Sequence, residues 1–145
     1  MTTRDLHSVV RTAVVVAPVA VGTTGTGKTG KIIDLQGYGG VEFLVAYGTV
    51  TATNAVFTVT CLEGSVTGTL TTVATADLEG TTLLAGLAAA ATRTSGVSKN
   101  VTKRLGYTGA KRYVQMNISS TVTAGTPVAI TALLHTPNLA PTANP

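Results

Sequence analysis

Short apolar runs, most of them alternating and separated by turn residues, carry the fold signal in this chain. Val9 to Val21 is the first apolar run, and Pro18 within it points to a bend or an edge position, because proline cannot donate to a ladder. Residues 22–30 read as a glycine- and threonine-rich loop, Lys31 to Leu35 as a short strand, and Gln36 to Gly40 as a turn. Val41, Phe43 and Val45 then share one face, opposite Glu42, Leu44 and Ala46. Both faces are largely apolar, which suits a central strand. Phe57, Val59 and Cys61 alternate against Thr58 and Thr60. Leu70 to Ala76 reads as another strand. The run from Leu83 to Ala91 is open between a short helix and a loop: its alanines favour a helix, while Gly86 and the lack of caps oppose one. From Lys111 to Ser119 the chain alternates again, with Val114, Met116 and Ile118 on one side. Thr126 to Leu134 follows a turn at residues 123–125, and these two runs are expected to form a hairpin. The expectation is an all-β fold, a single-domain β-sandwich or barrel of about eight short antiparallel strands with at most one short helix. It spans residues 1–145 as one domain, with an N-terminal arm at 1–8 and an extended, proline-containing tail at 136–145.

Composition sharpens this picture. There are 29 threonines and 16 glycines, with 11% charged residues and no tryptophan. Branching at Cβ makes threonine and valine poor helix formers and good strand formers. The residues that usually coat soluble helices are scarce, so an all-helical fold is excluded. A surface this poor in charge gives little repulsion between free monomers, which points to a protein that works while covered by neighbours. The net charge of +4 is a small excess. Six of the ten basic residues fall between Arg93 and Arg112. With only Tyr107 and Tyr113 nearby, a base-stacking platform for nucleic acid is poorly supported.

Chemistry-bearing motifs are few. Residues 22–29 match the phosphate-binding pattern G-x-x-x-x-G-K-[ST], but that loop needs a helix starting on it. Here Ile32-Ile33-Asp34-Leu35 runs into Gly37, Gly39 and Gly40, and no βαβ units follow, so we read a plain loop between strands. The lone Cys61 cannot form an intrachain disulfide and reads as an inert buried thiol. His7 and His135 have no partner cluster for a metal site, and the acidic residues stand singly. No catalytic, cofactor-binding or metal-binding residue is assigned, and an enzyme is not expected. No apolar run approaches the ~20 residues needed to span a bilayer. The apolar stretch 13–21 is a poor signal peptide, interrupted by Pro18 and preceded by Asp5.

The most distinctive segment is Arg104-Leu-Gly-Tyr107-Thr-Gly-Ala-Lys111-Arg112-Tyr113-Val114, a glycine-containing connection with a basic pair at the start of a strand. Taken with Ile33-Asp34-Leu35-Gln36-Gly37-Tyr38, Phe57-Thr58-Val59, Asp77-Leu78-Glu79-Gly80 and Gly125-Thr126-Pro127-Val128, the series resembles a group of small head-associated virion proteins of tailed bacteriophages. The match spans most of residues 31–137. The chain departs from that pattern in lacking an Asp-Gly turn after the Phe57 strand and in its alanine-rich insert at 83–92. The resemblance implies a capsid decoration (cement) protein on the outer surface of the virion head, made in the bacterial host cytoplasm. Its expected partners are the major capsid protein and itself, with a homotrimer preferred; a head–tail connector or tail component is the alternative. Lys99, Lys103, Arg104, Lys111 and Arg112 are the candidate capsid or subunit interface.

Overall fold

The computed structural model describes residues 6–21, 27–50, 52, 54–87, 100–121 and 125–138. Among them are ten strands, two of only two residues: β1 (Val10–Val21), β2 (Gly27–Lys28), β3 (Ile32–Asp34), β4 (Tyr38–Tyr47), β5 (Phe57–Val66), β6 (Thr69–Thr72), β7 (Leu78–Glu79), β8 (Val101–Tyr107), β9 (Tyr113–Ser120) and β10 (Thr126–Pro137). One helical turn, α1 (Thr82–Ala85), is also present. The first sheet has the order β1-β10-β4-β8-β7, and the second has the order β2-β9-β5-β6, with β3 also on β9. Every pairing is antiparallel. The fold is thus all-β and sandwich-like, as the alternation predicts.

Period-2 patterning decides which residues meet between the sheets. From the first sheet come Val41, Phe43, Val45 and Tyr47 of β4, Val128, Ile130, Ala132 and Leu134 of β10, and Leu105 and Tyr107 of β8, all buried. From the second come Phe57, Val59 and Cys61 of β5 and Val114, Met116 and Ile118 of β9. The Tyr47 and Phe57 rings meet across the layer at 5.6 Å between centroids and 58° between planes, a tilted contact of the kind aromatic pairs favour. Burial raises the Cys61 thiol to about 12, which keeps it protonated and unreactive.

The expected hairpin between the last two long runs does not form. β9 lies in the second sheet beside β5, whereas β10 lies in the first between β1 and β4. Each strand buries alternate residues against the opposite sheet, so the chain crosses the sandwich where an in-plane reversal was expected. Alternation reports which residues share a face and is silent on which strand lies alongside. The strand expected at 70–76 is also shorter: β6 ends at Thr72, and a 3-10 turn occupies Thr75–Asp77. Of the alanine-rich run, residues 83–85 are helical, within α1, and residues 88–91 lie outside the described residues. Residues 1–5 of the arm and 139–145 of the tail also lie outside them, while Thr136 and Pro137 still belong to β10.

β1 is the one long strand on a sheet edge among the described residues, and such edges invite unwanted pairing. Three devices blunt it. Its register against β10 shifts between Val14 and Val16 and again between Val16 and Val19, bulges that bend the strand. Pro18 sits within the second shift. The Lys31 amide donates to the Val15 carbonyl at 2.8 Å, tying β1 to the short segment between β2 and β3. That segment is held in turn by the β9 side chains, since the Gly30 amide donates to Asn117 Oδ1 at 3.0 Å and Gln115 Nε2 donates to the Gly30 carbonyl at 2.7 Å.

Two stability predictions follow from the core. Phe43 is fully buried in β4, so Phe43→Ala is expected to lower unfolding stability by about 3–5 kcal/mol in urea titrations. Thr126 is fully buried and its hydroxyl has no hydrogen-bond partner among the described residues. Thr126→Val, which keeps the shape and removes the unpaired hydroxyl, is expected to raise stability by about 1 kcal/mol in the same assay.

Candidate interaction surfaces

The Gly106–Val114 segment is the crossover from β8 in the first sheet to β9 in the second. The Tyr107 ring is fully buried. Its hydroxyl donates to Glu63 Oε2 on β5 at 2.5 Å and accepts from the Lys111 amide at 3.1 Å. One side chain thus ties β8, β5 and the crossover loop together. The loop must pass directly over the ring: a Cβ at Gly109 would lie 2.5 Å from the Tyr107 hydroxyl oxygen and 2.7 Å from ring carbons, so only glycine fits there. Burial and the Glu63 carboxylate hold the phenol protonated well beyond its ordinary range. A further backbone bond, from the Thr108 amide to the Asp77 carbonyl at 3.0 Å, fixes the loop to the 3-10 turn.

The basic residues singled out in the sequence do not form one patch. Lys99 lies outside the described residues. Lys103 and Arg104 lie on β8, where Arg104 is 81% exposed and its Nε stands 3.8 Å from Glu42 Oε1 on β4. Lys111 and Arg112 sit in the crossover loop and line a separate depression of about 380 Å³ with Leu35, Gln36, Tyr38 and Ala110. Arg112 is engaged within the chain: its Nε and Nη2 donate to Asp34 Oδ1 and Oδ2 at 2.9 and 2.7 Å. Its guanidinium also lies 4.9 Å from the centre of the Tyr113 ring. The bidentate bond holds the Asp34 carboxyl below the usual carboxylate range. Arg112 therefore stitches the end of β3 to the start of β9, and Lys111 is the freer cation of the two.

Other surface features were not legible from sequence. On the outer face of the first sheet, Glu42 and Glu79 both lean over Gly106, where a Cβ would lie 2.7 Å from Glu42 Oε2 and 2.9 Å from Glu79 Cβ. With Arg104, Lys103 and Leu84 they border a depression of about 530 Å³. Large apolar side chains also stand in solvent, notably Leu6 (67% exposed), Val14, Val66, Leu83 (85%) and Leu84 (65%). The sequence signal for Glu42 was its place on the outward side of an alternating strand; Glu79 and Gly106 become its neighbours only through the β4-β8-β7 order.

The phosphate-loop match finds no support in its surroundings. Gly27 and Lys28 form β2 and pair with Ser119 and Ile118 of β9, and the next element is the strand β3, where a nucleotide-binding loop would open a helix. Residues 22–26 lie outside the described residues. Among the described residues, no group of three or more His, Cys, Asp or Glu side chains is gathered to hold a metal, and no helix is long and apolar enough to cross a membrane.

No protein-family model matches the sequence, and no curated protein shows significant similarity to it. Among solved structures, one of Bacillus endospore appendages, a family of disulfide-linked pili, is similar at 14% identity and a TM-score of 0.42, over 89% of each chain. Another, dimeric latent PorU from Porphyromonas gingivalis, is similar at 6% identity and a TM-score of 0.44, over 92% of this chain and 13% of that one. Both likenesses are too distant to bear on function.

The Tyr107 tie has a measurable consequence. Tyr107→Phe leaves the Glu63 carboxylate and the Lys111 amide without that partner, and is expected to cost about 1–3 kcal/mol. Because the phenol ionises less readily in the folded than in the unfolded chain, its contribution is intact below the ordinary tyrosine pKa of about 10 and declines as pH rises above it. The alkaline loss of stability, followed by thermal melts between neutral and strongly alkaline pH, is therefore expected to be smaller in Tyr107→Phe than in the native chain.

Proposed function

We propose that this chain is a structural component of a bacteriophage virion, a decoration protein that binds the outside of the head shell. The observation that carries the reading is a well-packed sandwich whose outside is poor in charge and presents large aliphatic side chains, among them Leu6, Val14, Leu83 and Leu84. Such a surface suits a protein that spends its working life against neighbours. The resemblance of the Gly106–Val114 segment and its flanking motifs to head-associated phage proteins supplies the particular setting.

A cement protein needs no chemistry. It binds the assembled shell and not the disassembled one, and stabilises the shell by mass action. The proposed contact combines apolar surface with Lys103 and Lys111, which form no ion pair among the described residues and would meet acidic shell surface. Arg112 is given a lesser part because it is already committed to Asp34.

Co-sedimentation with purified expanded heads tests the reading. The native chain is expected to pellet with shells to a saturable level. Lys103→Glu with Lys111→Glu is expected to weaken binding roughly tenfold at low salt, with a smaller effect as salt is raised. Native protein that stays in the supernatant refutes the decoration role. Unchanged binding of the double variant refutes the part assigned to the two lysines.

A further inference from the structure

We propose that the depression between the β3–β4 turn and the β8–β9 crossover is a socket for one carboxylate side chain of a partner protein, bound by Lys111 together with Tyr38 and Gln36. For the partner's identity this rests on the decoration reading, in which the carboxylate belongs to the shell. The socket itself is tested without shells.

The socket is preformed. One wall is the turn, where the Tyr38 amide donates to the Leu35 carbonyl at 2.9 Å and the Gln36 amide donates to Asp34 Oδ1 at 2.9 Å. Gly37 takes the left-handed conformation there, with φ at 88°, and its carbonyl accepts from the Asn138 amide at 2.8 Å. The other wall is the crossover, tied to the Tyr107 hydroxyl through the Lys111 amide. Two contacts join the walls to each other. The Leu35 amide donates to the Arg112 carbonyl at 2.8 Å, and the Arg112 guanidinium holds the Asp34 carboxylate. Leu35 itself is buried. A site whose backbone is fixed on both sides loses little conformational entropy when a ligand arrives.

What the walls present is polar and unsatisfied. Among the described residues, the Lys111 ammonium forms no ion pair or hydrogen bond, and neither the Tyr38 hydroxyl nor the Gln36 side-chain amide has a partner. The backbone amides of Gly109 and Ala110 likewise have no acceptor among those residues. All of these residues border the same space of about 380 Å³. That is room for an acidic side chain and part of the backbone that carries it.

Charge selects the ligand. Asp34 and Arg112 neutralise each other, so Lys111 leaves the depression with one uncompensated positive charge. A single cation flanked by neutral donors suits a single carboxylate, which accepts from several donors at once. The depression beside Leu84 is different, because its Lys103 and Arg104 are matched by Glu42 and Glu79, and a carboxylate gains less there. Nucleic acid is disfavoured, since its phosphates call for a run of cations and the fold places Lys103 and Arg104 in that other depression.

Amide-resolved NMR titration of the full chain tests this, with the capped tripeptide acetyl-Gly-Glu-Gly-amide as the probe. The native protein is expected to show saturable shifts confined to Gly39, Gly109, Ala110, Lys111 and their neighbours, and none with acetyl-Gly-Gln-Gly-amide. Lys111→Gln is expected to weaken binding about tenfold and Tyr38→Phe about threefold. Lys28→Gln, which removes the same charge from β2, is expected to bind as the native chain does. Native spectra outside the socket verify that each variant is folded. Absence of shifts, shifts scattered over the surface, equal shifts with the two tripeptides, or undiminished affinity in Lys111→Gln would each overturn the proposal. So would tighter binding of inorganic phosphate or of a DNA duplex at the same amides, which would assign the site to phosphate. Co-sedimentation separates the socket from decoration. Pelleting with heads but no tripeptide shifts removes the socket and leaves decoration standing, whereas the expected shifts without pelleting support the socket and remove the shell as its partner.

Discussion

The hydrogen bond from the Tyr107 hydroxyl to Glu63 governs how the chain passes from one sheet to the other. Apolar contact presses the two layers together but is non-directional, and leaves their relative placement to shape alone. The tie is directional and partly buried. It joins β8 to β5, and its acceptance of the Lys111 amide sets the path of the loop that delivers β9 to its place. With β9 in register against β5, the short strands β2 and β3 find their edge on it. Arg112 and Asp34 then close the corner from outside. The glycines and tyrosines of this segment, Gly106, Tyr107 and Gly109 among them, thus have a folding rationale.

Much of the architecture was legible in the sequence. The alternation of Val41, Phe43 and Val45, of Phe57, Val59 and Cys61, and of Val114, Met116 and Ile118 identifies strands and their buried faces, because side-chain direction is set by local geometry. Pro18 marks an edge strand for the equally local reason that it lacks a donor. Pairing is not local. Nothing in residues 113–134 distinguishes a hairpin from a crossing between sheets, since both bury the same alternate side chains. The short elements were obscure for another reason: β2 and β7 are strands only because β9 and β8 lie beside them.

The surface was harder to read than the core. Sequence proximity grouped five basic residues, but the fold separates Lys103 and Arg104 from Lys111 and Arg112 and commits Arg112 to Asp34. Conversely, the Glu42 and Glu79 side chains, 37 positions apart in sequence (79 − 42), converge over Gly106. The exposed leucines of α1 are invisible as such in an alanine- and leucine-rich run, where burial is the ordinary expectation. The outside of this sandwich thus carries distinct patches, with its basic residues divided between two of them.

The assembly role we propose takes those patches as the working parts of the molecule, with the phage head as its proposed setting. A cryo-EM map of the particle that carries this protein tests that claim most directly. The account predicts the sandwich repeated over the outer surface of the expanded shell, in many copies that follow the capsid lattice. A particle whose shell lacks this density, or that holds the protein only as a single ring at one vertex, would contradict it.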